Sequence, residues 1–117
     1  MHCEPQYGEA AMNSLLERRE KFSAVVCYHD LFAIGAIKAL KAAGLRVPED
    51  VSVVGFDDIS IEYGARPPIT SVAFDREAMG RRAVQMLCDG ETGEAVQEVF
   101  PVELVVRGST RKAKKIA

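Results

Sequence analysis

Two short motifs, Tyr28-His29-Asp30 and Asp57-Asp58, carry the groups in this chain best suited to holding a small molecule. Each follows an uninterrupted apolar run, Ala24-Val25-Val26-Cys27 before the first and Val53-Val54-Gly55-Phe56 before the second. A carboxylate such as Asp57 accepts charge-assisted hydrogen bonds from two sugar hydroxyls or from a base N–H. The His29 imidazole both donates and accepts, as an amide does, and also titrates near neutral pH. Plainer roles stand beside these: Asp57 or Asp58 as the cap of a short following helix, and His29 as a structural side chain. Catalysis is a competing chemistry, with Asp57 and Asp58 on Mg²⁺, or Asp57 and His29 as a general base. Against it, the chain has no nucleophile elbow, no phosphate-binding glycine loop and no HExxH motif. A phosphoacceptor receiver needs its paired acids after the first strand with another aspartate downstream, an order not found here.

Strands and helices must bring these motifs together. Continuous apolar runs suit a parallel sheet covered on both faces, so Ala24–Cys27 and Val53–Phe56 are predicted as its strands. Between them Leu31 to Ala43 has helical composition, with Asp30 placed to cap its first turn and Gly44 at the left-handed position beyond its end. The result is one βαβ unit, and ligands in such sheets collect beyond the carboxyl ends of the strands, where both motifs fall. Within this helix Ala33, Ala36, Ile37 and Leu40 form a stripe of mostly small residues for the sheet. Leu31 and Ile34 share a face with Lys38 and Lys41, which suits either a partner contact or scattered exposed apolar residues.

A preceding helix is predicted over residues 8–20, with Ala11, Met12, Leu15 and Leu16 as its apolar stripe. The connection Leu45–Asp50 is broken by Pro48, a short helix is expected over Ile59–Tyr63, and Gly64, Pro67 and Pro68 mark a loop. Thr70–Phe74 is a short strand. Asp75 is placed to cap a helix reaching Asp89, with Met79, Ala83, Met86 and Leu87 on one face and Gly90 as its stop. Arg76, in the first turn, is expected to be solvated. Glu91–Gln97 reads as a loop. Glu98–Arg107 alternates, with Phe100, Val102, Leu104 and Val106 on one side, a half-exposed strand placed at an edge by Pro101.

The 117 residues suffice for one modest domain, and 48% hydrophobic with 27% charged residues is ordinary for a globular protein. No run of about 18 apolar residues is present, so no membrane-crossing helix is expected. The N-terminal MHCEPQYGEA has no signal-peptide pattern, which makes the cytoplasm the expected location. Cys3, Cys27 and Cys88 are too widely spaced for a disulfide framework or a CxxC metal knuckle. The net charge of −2 conceals a basic ending, Arg111, Lys112, Lys114 and Lys115. It is read as a solvated, disordered tail rather than a nucleic-acid contact, and the body of the chain has no DNA-binding character.

Gly8 with the helix after it, AVVCYHDLFAIGAIKAL, GLRVPEDVSVVGFDD, PPITSV, REAMGRRA and PVELVVRGST occur here in order. Together they resemble the C-terminal part of the effector-binding domain of lactose-repressor/galactose-repressor (LacI/GalR) family regulators, from Tyr7 to Thr110. The resemblance implies an α/β fold, a Rossmann-like three-layer parallel sheet forming an incomplete type I periplasmic-binding-protein-like C-terminal subdomain. Residues 1–74 would be its core and 75–90 a crossover helix packing on an N-terminal subdomain that is missing here. Residues 98–110 would be the final strand and 111–117 the basic tail. It implies an effector in a cleft between two subdomains, contacted by Asp57, with His29 where the family usually has asparagine. Phe74 matches a cleft-lining position able to stack on a sugar or purine ring, with plain core packing as its other role. Tyr28 is a further contact. Asp30 and Asp58 remain helix caps. Leu31, Ile34, Lys38, Glu62, Tyr63 and Ala65 would belong to a homodimer interface.

The function so implied is the sugar- or purine-sensing part of a LacI/GalR-type regulator, not an enzyme, with no cofactor and no metal. Its partners would be a small-molecule effector and a second copy, with DNA reached only through a headpiece lacking here and no membrane contact. A periplasmic-type sugar-binding protein and a truncated remnant without independent function are the alternatives.

Overall fold

The computed structural model describes residues 4–90 and 97–114. Cys3, Lys115 and the loop expected from Glu91, apart from Gln97, lie outside them. The order is α1 (Pro5–Glu17), β1 (Ala24–Val26), α2 (Asp30–Ala42), β2 (Ser52–Phe56), a 3₁₀ turn (Ser60–Tyr63), β3 (Thr70–Ala73), α3 (Arg76–Cys88) and β4 (Glu103–Val105). The sheet runs β1-β2-β3-β4, parallel across the first three strands and closed by an antiparallel β4.

Expected over residues 8–20, α1 instead starts at Pro5, whose fixed φ and missing N–H suit a first helical position. It ends at Glu17, and Arg19 is left-handed at φ 56°. Gly8 therefore lies inside the helix. A Cβ there would sit 2.1 Å from the Phe32 carbonyl oxygen, and one on Gly35 would sit 1.8 Å from that of Pro5. The two glycines let α1 and α2 touch backbone to backbone. Lys38 then reaches α1 and pairs with Glu9 at 2.8 Å.

The stripe predicted for the sheet is the one buried: Ala33, Ala36, Ile37 and Leu40 are all at most 4% exposed, joined by Val53, Ile69, Val51, Val47 and Met12. Of the α1 stripe only Met12 is buried, with Leu15 and Leu16 half-buried against the core and Ala11 exposed. Gly44 takes the left-handed position at φ 79°, and Leu45 N–H returns to the Leu40 carbonyl at 2.9 Å to close α2. In the connection that follows, Arg46 holds Asp50 by two side-chain hydrogen bonds of 2.8 and 2.9 Å. Those bonds keep the Asp50 carboxyl well below the usual carboxylate range.

Strand alternation directs Val25, Val53 and Gly55 toward α2, and Val26, Val54, Phe56 and Val72 away from it. On that far side Val26, Phe56, Leu104 and Val106 remain exposed. Of the three layers expected, the described residues build two, because their helices α1 and α2 lie to one side of the sheet. Helix α3 buries no residue. The chain accordingly has a radius of gyration of 17.5 Å, against about 13 Å for a compact domain of this length.

The last strand is three residues, where 98–107 was expected to be extended throughout. The short β3 offers partners only to Glu103, Leu104 and Val105. Beyond them the chain leaves the ladder so that Ser109 can bridge β2 and β3. Its hydroxyl donates to the Val53 carbonyl at 2.5 Å and accepts from Thr70 N–H at 2.8 Å, while Val53 N–H donates to the Ser109 carbonyl. On the side expected to carry an apolar stripe, Val102, Leu104 and Val106 are exposed and Phe100 is half-buried. The start of the basic tail is likewise exposed, though Arg111 N–H is tied to the Ser52 hydroxyl.

Candidate functional site

The carboxyl ends of β1 and β2 open into a cavity of about 730 Å³ lined by Val26, Cys27, Tyr28, His29, Phe56 and Asp57. The two motifs predicted to meet do meet. His29 Nε2 lies 2.8 Å from Asp57 Oδ2, with the imidazole about 15% and the carboxylate about 26% exposed. His29 is also the N-cap of α2: extended at φ −155°, it accepts Leu31 N–H on Nδ1 at 3.2 Å.

This corrects the role of Asp30. It is the first helical residue rather than the cap, and it is fully buried. Its carboxylate accepts Ile59 N–H at 2.7 Å, Ser60 N–H at 2.9 Å and the Ser71 hydroxyl at 2.7 Å. A buried charge is tolerable only when so satisfied. Gly55 makes room, since a Cβ there would come within 2.0 Å of Asp30 Oδ1. Asp30 thus holds the amides that open the 3₁₀ turn, the work expected of Asp58.

Asp58 does something else. No side chain caps the turn at its own N-cap, Ile59. At φ 57° Asp58 directs its carboxylate to Arg107, 2.6 Å away, whose Nη1 also donates to the Ile69 carbonyl at 2.8 Å. The strand-end acid is therefore an anchor for the chain returning from β4. Arg107 and Ser109 were not singled out from the sequence, because nothing local in RGST indicates partners about 40 to 55 residues away.

Asp57 is held by its backbone. At φ 89° it lies in a region that non-glycine residues seldom occupy, and such positions cluster where a side chain must be aimed. Its N–H donates to the Val72 carbonyl at 3.0 Å, and its own carbonyl accepts from Arg76 Nη1 at 3.1 Å. Arg76, expected to be simply solvated, is exposed but points back to the site. The available signal was its position beside Asp75, whose side chain caps α3 through Ala78 N–H at 2.8 Å, as expected.

Aromatic side chains flank the carboxylate. Phe74 is half-buried, and its ring lies 6.1 Å from that of Phe56 at 44°. Phe56, not singled out from the sequence, lines the cavity itself. Tyr28 is exposed and meets Phe32 edge-on at 6.2 Å. Beneath them, burial and then the negative charge of Asp30 push the Cys27 thiol up to about 11, so at neutral pH it is a protonated wall of the cavity. Among the described residues no group of three or more His, Cys, Asp or Glu side chains could hold a metal ion. No helix among them is long and apolar enough to cross a membrane.

Leu31 and Ile34 are half-buried on α2, and the 3₁₀ turn beside them exposes Ile61, Glu62 and Tyr63, with Ala65 half-buried. Lys38 is exposed but committed to Glu9.

A parallel strand-end crevice with a carboxylate, an imidazole and aromatic walls defines a small-molecule-binding α/β domain. The family profile described as "Periplasmic binding protein-like domain" matches residues 2–110, and the chain belongs to that family, in its LacI/GalR branch. It is 40% identical over 107 residues to the HTH-type transcriptional repressor CytR of Escherichia coli K12, covering 89% of this chain and 31% of that one. Among solved structures it is similar to the transcriptional regulator CelR–cellobiose complex, at 44% identity and a TM-score of 0.83 over 91% of this chain and 33% of that one. A lac repressor dimer bound to operator and the anti-inducer ONPF matches at 31% identity and a TM-score of 0.80, over 92% and 38%. The chain thus spans about a third of the length of the relatives it matches. These relatives are transcriptional regulators rather than enzymes.

Proposed function

We propose that this chain supplies one wall of the effector cleft of a LacI/GalR-type transcriptional regulator, working in the cytoplasm as a sensor and not as an enzyme. The observation that carries it is the crevice itself. Asp57, aimed by a left-handed backbone and held by His29, stands beside Phe56 and Tyr28 over a cavity of ligand size. A carboxylate acceptor beside aromatic faces suits a sugar or a purine-like ring. The cellobiose of the CelR–cellobiose complex supports the sugar side of this reading.

On the same reading a second copy docks over Leu31, Ile34 and the exposed Ile61–Tyr63 turn, with Ala65 and the Lys38 stem at its rim. Helix α3, which buries nothing here, packs on a further subdomain of the regulator. DNA is contacted by a headpiece outside these residues. Titration calorimetry of the chain with a panel of sugars and purines tests the sensor role. One class should bind, and Asp57→Ala should weaken it about 10- to 100-fold, as loss of a charge-assisted hydrogen bond requires. Equal binding by the variant would contradict it.

A further inference from the structure

The end of the chain is drawn against the sheet rather than away from it. The Ser109 carbonyl accepts Val53 N–H at 2.9 Å, and Arg111 N–H donates to the Ser52 hydroxyl at 3.2 Å. At this amino end of β1 and β2, opposite the crevice, lies a cavity of about 170 Å³. Its polar lining is Ser23, Asp50, Ser52, Arg111, Lys112 and Lys114. Arg111, Lys112 and Lys114 form no ion pair with a described acid. Asp50 is already bonded to Arg46, and Lys114 adds a second positive charge near it. Ser52 is buried, at 9% exposure. A hydroxyl has one proton to give. With the Ser52 oxygen accepting Arg111 N–H, that proton finds no acceptor among the described residues.

We propose that this cavity is an oxyanion site that takes a phosphate group at the base of the sheet. Three cations and a buried O–H donor line it, against one carboxylate whose charge Arg46 balances. An anion entering there gains charge-assisted bonds, and a guanidinium such as that of Arg111 presents paired donors that match phosphate oxygens. The volume is below the roughly 300–1,000 Å³ of pockets that enclose a whole ligand. It suits the phosphate group itself, either as the free ion or as a monoester whose body stays in solvent. Bound there, the anion joins residues 111–114 to the starts of β1 and β2. The site is separate from the strand-end crevice and does not depend on the effector reading.

A cationic segment also responds to any salt, because ions screen its own repulsion. A built site differs from screening in two ways: it saturates, and it depends on neutral donors as well as on charge. Ser52→Ala removes the buried donor with every charge kept. Ser23→Ala makes the same kind of change at an exposed position, and Arg111→Gln removes one cation from an exposed side chain.

Amide spectra of the ¹⁵N-labelled chain, titrated with inorganic phosphate at an ionic strength held constant with sodium chloride, test the proposal. The amides of Ser23, Ser52, Arg111 and Lys112 should shift together on one saturating curve, with Leu31 and Asp57 unmoved. Arg111→Gln and Ser52→Ala should each weaken binding about tenfold, and Ser23→Ala at least about twofold. Glycerol 2-phosphate shifting the same amides with similar affinity would support the site and assign it to a monoester. Saturation by inorganic phosphate alone would support it and assign it to the free ion. Shifts that grow without saturating, or that added sodium chloride reproduces, overturn the proposal. So does wild-type affinity in both serine variants with loss only in Arg111→Gln, which is the pattern of a screened tail. Should Ser52→Ala not fold, Ser23→Ala decides between those outcomes.

Discussion

Helices α2 and α3 have the same length, thirteen residues, and each begins on a side chain that caps an amide. Yet α2 buries seven residues and α3 none. Capping contributes only about 1 kcal/mol, whereas burying a leucine or isoleucine contributes about 1.5–3 kcal/mol. The difference locates the stability of the molecule: it lies between α1, α2 and the near face of the sheet. Helix α3 and the far face, with Val26, Leu87, Leu104 and Val106 exposed, contribute little to it. The candidate crevice is built from the stable half, since His29 caps α2 and Asp57 directly follows β2.

Glycine-to-alanine changes should separate the two helices most sharply. Gly35→Ala places a Cβ 1.8 Å from the Pro5 carbonyl oxygen, and should destabilise by at least about 3 kcal/mol in urea unfolding. Gly80→Ala on α3 meets nothing within 4 Å, and should raise helicity and be neutral or stabilising by up to about 1 kcal/mol. Equal losses at the two sites would break the comparison. Leucine truncation is the next test. Leu40→Ala removes a fully buried side chain and should cost about 2–5 kcal/mol. Leu87→Ala, at 82% exposure, should change stability by no more than about 0.5 kcal/mol.

The helix-defining parts of this contrast were legible in the sequence to different degrees. The α2 stripe follows from 3.6-residue spacing, and every member of it is buried. The same spacing gave α3 an apolar face, but periodicity says only that a face exists, not what covers it. Apolar content in β1 and β2 likewise indicated strands covered on both sides, and one side is covered by described residues. At the site, the meeting of Tyr28-His29-Asp30 with Asp57-Asp58 could be read from strand order alone. The division of labour within those motifs could not. An aspartate ahead of a helix is the commoner cap, but here the histidine caps and Asp30 is drawn inward by three donors from other elements. Asp58 could not be assigned to Arg107, nor Arg76 to the Asp57 carbonyl, because those contacts join distant segments.

A pH experiment sharpens the same division. The folded value of the Cys27 thiol is raised to about 11 from 9.0. As pH rises the unfolded chain therefore loses this proton first, and stability falls between about pH 9 and 11. The contribution is about 2–3 kcal/mol for a shift of this size. Urea titrations should show a shallower decline for Cys27→Ala than for wild type over that window. An identical decline would mean that the floor of the crevice is open to water. An effect confined to one helix belongs to Asp75→Ala, which removes the α3 cap. It should fray α3 by circular dichroism at a cost of about 1 kcal/mol to that helix, with little change in the unfolding midpoint of the α2 half.

Residue-resolved hydrogen exchange on the intact chain tests most directly whether the crevice is carried by the α1/α2 half alone. Amides of α2 and β2, including Leu31 N–H on His29 and the Asp57 N–H on Val72, should exchange only through global unfolding, while those of α3 exchange orders of magnitude faster. Protection of α3 equal to that of α2, or fast exchange at Leu31 and Asp57, would contradict the account.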